Sequence, residues 1–85
     1  MTLDEAKALK VGDLVRYHDP LSLLETYEVV MEGWHRHDGG SLSTDCVTLQ
    51  TVAIVSQGDY EDDPAYIGEA GWINEYNIEQ FEKIA

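Results

Sequence analysis

The stretch that most constrains how this chain can fold runs from Ala8 to His18, ALKVGDLVRYH. Leu9 and Val11 precede Gly12-Asp13, a pair that favours a turn because glycine tolerates positive φ and aspartate can hydrogen-bond its own backbone. Val15 and Tyr17 then alternate with Arg16 and His18, the period-two pattern of a strand buried on one face. Asp19-Pro20 ends it, since proline cannot donate to a ladder and biases its predecessor away from helix. The rest of the chain reads as further strands able to close on this one.

At 85 residues the chain is expected to be a single domain, 1–85, with no room for a second core. A hydrophobic content of 44% is ordinary for a globular protein and too high for a disordered one. Thr2-Leu3-Asp4-Glu5 has the spacing of a capping box, and Leu3, Ala6 and Leu9 would line one side of a short helix acting as a lid. The LSLL segment after Pro20 reads as an apolar loop folded inward. Glu25 to Trp34 is the second strand, with Tyr27, Val29 and Met31 on one face and Glu28, Val30, Glu32 and Trp34 on the other. Trp34 either packs beside Val30 or stands in a contact surface. His35 to Ser43 reads as a loop with Gly39-Gly40 at its tip. The third strand, about Asp45 to Val55, places Val47, Leu49, Thr51, Ala53 and Val55 on one side, and its apolar VAIV end suggests a central position. Ser56 to Gly71 is a long acidic loop, alone or with a short strand around Ala65 to Ile67. Trp72 resumes a strand, Asn77 to Gln80 forms one helical turn with Tyr76 and Phe81 as a hydrophobic staple, and Phe81 to Ile84 closes beside the first strand.

Lys10 to Tyr17, KVGDLVRY, resembles the opening strand of small SH3-like barrels, in which an apolar-x-Gly-Asp-apolar-Val phrase begins the first long strand. That resemblance is one of fold class and is shared by domains with unrelated functions. With the strand count it implies a mainly β protein: a partly open SH3-like barrel of about five strands, with a short N-terminal helix and a single helical turn near the C-terminus.

Charge narrows the function. Seventeen acidic residues against five basic ones give a formal charge of −12, and no Lys or Arg lies between His37 and Glu82. Neutralising phosphates requires Lys and Arg, so such a field argues against direct nucleic-acid binding and against anionic membranes. No apolar run approaches the roughly 20 residues of a membrane span, and MTLDEAKALK lacks the apolar core of a signal peptide, so the cytoplasm is the expected compartment. The single Cys46 has no partner for an internal disulfide and no basic neighbour to activate it; it reads as a small core residue.

No sequence motif specifies a reaction: there is no Gly-x-Ser-x-Gly elbow, no P-loop and no dinucleotide glycine motif. His35 and His37, two residues apart, could share a metal ion with His18 as a third ligand, but zinc motifs show a second spaced pair, and a solvated turn is the plainer reading. Asp59, Glu61, Asp62 and Asp63 lack the spacing of a calcium loop. No cofactor or metal is therefore expected. Tyr60 and Tyr66 stand among these carboxylates and are expected to be exposed, whereas Trp72 and Tyr76 read as core or staple residues. Exposed aromatics ringed by carboxylates suit a basic partner.

The expected function is a non-enzymatic interaction module that docks a basic or extended segment of another protein, with Tyr60, Asp62, Asp63, Tyr66 and Trp34 as binding residues. Two alternatives are a nucleic-acid mimic occupying a DNA- or RNA-binding enzyme, and a small ligand-binding or enzymatic subunit with a site at a homodimer seam around His18, His35 and His37. A homodimer also follows from size, because small domains gain burial by association.

Overall fold

The turn at Gly12-Asp13 forms as its residues dictate: Gly12 has φ +93° and the Asp13 carboxylate accepts from the Lys10 amide at 2.9 Å. A computed structural model describes residues 1–39, 42–59 and 63–85. Its elements are α1 (Leu3–Lys7), β1 (Leu14–His18), β2 (Glu25–Gly39), β3 (Leu42–Ser56), β4 (Ala70–Ile73), a 3-10 turn (Ile78–Gln80) and β5 (Phe81–Lys83). The strands form one antiparallel sheet in the order β4-β3-β2-β1-β5, not closed into a full barrel. The expected mainly β architecture, with its short N-terminal helix and a helical turn near the C-terminus, is thus present.

Thr2 and Glu5 make the reciprocal capping box, the Thr2 hydroxyl accepting from the Glu5 amide and the Glu5 carboxylate from the Thr2 amide. That places Ala6 and Leu9 in the core, which continues through Val15 of β1, Val30 of β2, Val47 and Leu49 of β3, Ile73 of β4 and Phe81 of β5. Tyr17 packs its ring against Phe81 at 5.1 Å between centroids, across the β1–β5 pairing. Burial of these side chains supplies the main drive for folding.

The two long strands are bent by register irregularities at Glu25/Thr26, Tyr27/Glu28, Val30/Glu32 and Glu32/His35. Such bulges let one hairpin face β1 over its first half and β4 over its second. They also explain several departures from the sequence reading. The ladder continues from His35↔Cys46 to Gly39↔Leu42, so His35 to Gly39 and Leu42 to Ser43 are not loop but paired strand; the tip expected at Gly39-Gly40 lies in part outside the described residues. The VAIV end of β3 is not central: β4 pairs only with Val47 to Gln50, leaving Val52 and Val55 exposed.

Three further expectations are corrected. Leu21 and Leu23 point outward, because Asp19 binds the segment tightly: its carboxylate accepts from the Leu21 amide and the Ser22 hydroxyl, and its carbonyl from the Leu23 amide. Of the leucines of that segment, Leu24 turns partly inward. Tyr76 is exposed and staples nothing, since the Asn74 side chain accepts from the Tyr76 amide and the Asn77 side chain accepts from the Asn74 amide. Ala65 to Ile67 form no strand but enter a turn closed by the Glu69 amide donating to the Tyr66 carbonyl.

Candidate functional site

The inward face of β2 carries Thr26, Glu28 and Val30 at alternate positions, all buried. A glutamate in that row is the unusual member, because carboxylates are rarely buried without partners. Glu28 is 6% exposed, and its Oε2 accepts from two hydroxyls, Thr26 Oγ1 and Thr51 Oγ1, each at 2.8 Å. Thr26 precedes it by two residues on the same strand, and Thr51 lies directly opposite on β3. The two hydroxyls saturate one oxygen. Oε1 accepts no hydrogen bond among the described residues and faces Gly71 of β4, where a Cβ would lie 3.4 Å away.

The missing side chain at Gly71 opens an indentation above Glu28. An open cavity of about 280 Å³ forms there, lined by Glu28, Thr51, Tyr17, Phe81, Glu69 and Asn77, and by Trp72, whose side chain alternates to the face of β4 opposite Gly71 and Ile73. Among the described residues no Lys, Arg or His lines it. Burial raises the Glu28 carboxyl above its usual range; the threonine hydroxyls oppose this and the negative charge of Glu69 adds to it. The cavity therefore holds a carboxyl short of one positive charge.

The rim is built by the turn before β4. Gln57 clamps both ends of the acidic loop, donating to the Ala65 carbonyl at 2.9 Å and accepting from the Ala65 amide at 3.0 Å. The chain then turns at Gly68, φ +90°, with the Glu69 carboxylate accepting from the Tyr66 amide. Tyr66 and Ile67 are left exposed on this shoulder, and Trp72 is 56% exposed beside it. Trp72 was expected in the core; its exposure follows from β4 pairing, which sets it opposite Thr48 while Ile73 takes the buried position.

The sequence-predicted residues divide. Tyr66 stands exposed next to two cavity-lining residues, Ala65 and Glu69, and Asp63 is exposed in the preceding segment. Tyr60 and Asp62 lie outside the described residues. Trp34 does not line this cavity; it is half-buried against the core with the Lys7 ammonium 5.9 Å from its ring centroid. His18 pairs with Glu25 at the start of β2, while His35 lies ten residues further along that strand, roughly 30 Å of extended backbone away. His35 Nδ1 lies 2.7 Å from the Gly33 carbonyl and Nε2 3.4 Å from Glu32. Among the described residues no group of three His, Cys, Asp or Glu is placed to hold a metal ion. Cys46 is buried, and burial together with Glu32 and Asp45 pushes its thiol upward.

Glu28 is the residue that sequence reasoning missed. Its signal was present, a carboxylate alternating with Val30 two residues after a threonine, but an inward glutamate is indistinguishable by period from one at an exposed edge. No family model, no curated protein and no solved structure matches the chain. Among the described residues no helix is long and apolar enough to cross a membrane.

Proposed function

We propose that this protein is a non-enzymatic, cytoplasmic interaction module that docks a basic, extended segment of another protein. The observation that carries the reading is the cavity itself: a buried carboxyl whose Oε1 accepts from no described residue, a second carboxylate and the aromatic residues Tyr17 and Phe81 in the lining, and no basic side chain among the described residues that line it. Drug-sized ligand sites are commonly about 300–1,000 Å³, so a cavity just below that range suits a single side chain of a partner. The chain's charge of −12 would draw a basic segment toward it and set its orientation.

Two features favour an extended segment. β4 is a sheet edge alongside the cavity, where a strand would add beside Ala70, the Trp72 carbonyl already accepting from the Asn77 side-chain amide at 3.0 Å. Tyr66, Ile67 and Trp72 offer exposed apolar surface on the same side of the chain as the rim carboxylate Glu69.

The test is calorimetric titration of a capped Gly-Ser peptide bearing several lysines, at physiological and high salt. Binding that survives salt and falls about tenfold or more in Trp72→Ala and Glu69→Gln supports the site, a loss in the range of one aromatic anchor or charged hydrogen bond. Binding that vanishes with salt and ignores both substitutions reduces the acidity to a diffuse field and overturns the reading.

A further inference from the structure

We propose that the cavity selects a lysine ammonium over an arginine guanidinium, and that the ammonium enters in exchange for a proton on Glu28. This rests on the docking reading and names the occupant of that site. The geometry that decides it is at the carboxyl. Guanidinium recognition draws its strength from two parallel bonds to both oxygens of a carboxylate. Glu28 cannot offer that fork, because Oε2 already accepts from Thr26 and Thr51, and only Oε1 faces the cavity. A compact ammonium with three donors needs no fork. One donor reaches Oε1, and the other two are free for the Glu69 carboxylate in the lining and for water. Tyr17 and Phe81 in the lining give the alkyl stem apolar contact while the charge goes to the carboxyls.

The proton exchange has its cause in the groups that face Glu28. From its own strand it meets the Thr26 hydroxyl, from β3 the Thr51 hydroxyl and from the turn before β4 the charge of Glu69, while β1 brings Tyr17 into the same lining; among the described residues no cation lines the site. The empty cavity therefore shifts Glu28 toward the neutral carboxyl, and an arriving ammonium shifts it toward the carboxylate. The proton leaves to solvent, the ammonium keeps its three hydrogens, and the net charge of the cavity is the same before and after. Affinity rises with pH across the range in which the unliganded Glu28 ionises, by up to about tenfold per pH unit for one linked proton.

The experiment uses the full chain and three capped Gly-Ser peptides with one central residue: lysine, arginine or acetyl-lysine. Dissociation constants are measured by calorimetry between pH 4 and 8. Lysine binding at least about tenfold tighter than both others at pH 7.5, weakening on acidification, is expected. Glu28→Gln removes the pH dependence and most of the preference. Should that variant not fold, the wild-type pH profile decides alone. Equal affinity for lysine and arginine, or a flat profile, overturns this inference and leaves the docking reading standing if Trp72→Ala still abolishes binding. Failure of all three peptides, and of the multi-lysine peptide, overturns both.

Discussion

Replacing Thr51 by valine removes one of the two hydroxyls that hold Glu28 while keeping the shape of the side chain. Thr51 is buried and donates to Glu28 Oε2 at 2.8 Å. A hydrogen bond to a charged group is worth about 1.5–3 kcal/mol, and one between neutral groups about 0.5–1.5 kcal/mol. Above the range in which Glu28 ionises the larger figure applies, and below it the smaller. In a domain of this size 1 kcal/mol moves Tm by about 4–8 °C, so above that range Thr51→Val melts about 10 °C or more below wild type. Thermal unfolding followed by circular dichroism from pH 4 to 8 reads the gap, which narrows by about half on acidification. Thr51→Ser, which keeps the donor, shows no such pH-dependent component. A gap that is constant with pH, or no loss at all in Thr51→Val, would refute a Glu28 carboxylate held by these hydroxyls.

Because burial raises the Glu28 carboxyl, the native state holds its proton more tightly than the unfolded chain, whose ordinary value is 4.5. Stability contributed by the protonated form is present below that value and is lost as pH rises through the folded one, so Glu28→Gln gains on wild type with rising pH in paired urea titrations. Gly58 has φ +62°, and a Cβ there would lie 2.2 Å from the Ser22 carbonyl oxygen, so Gly58→Ala costs more than about 1 kcal/mol and lowers the urea midpoint. Leu49→Ala, at a fully buried position against the cavity floor, costs about 2–5 kcal/mol by the same assay. Gly71→Ala meets only ordinary contacts, 3.4 Å from Glu28 Oε1 and 4.0 Å from Leu49 Cβ, so it melts within a few degrees of wild type yet weakens lysine-peptide binding measured by calorimetry.

The architecture was legible where local chemistry and period agreed. The capping box at Thr2 and Glu5, the Gly12-Asp13 turn, the alternation from Val15 to His18 and the return of Phe81 beside Tyr17 all formed as their residues implied. Misreadings came where register, set by distant pairing, decided the face. Trp72 looked like core by size, yet β4 gives the inward place to Ile73; the VAIV run looked central, yet β4 is too short to cover it. The site was half legible. Tyr66 and the acidic balance of the third quarter of the chain pointed toward its rim, while Glu28 required the knowledge that Thr51, twenty-three residues on, stands opposite it.

The most direct measurement is carbon-13 titration of the Glu28 side-chain carboxyl by NMR, with and without the single-lysine peptide at physiological salt. A Glu28 that titrates above the usual glutamate range alone and moves down when the peptide is added, with amide shifts gathered at Thr51, Glu69, Gly71 and Trp72, is the expected result. A Glu28 that titrates identically in both samples, with peptide-induced shifts scattered over the acidic surface, would contradict a docking cavity built around this carboxyl.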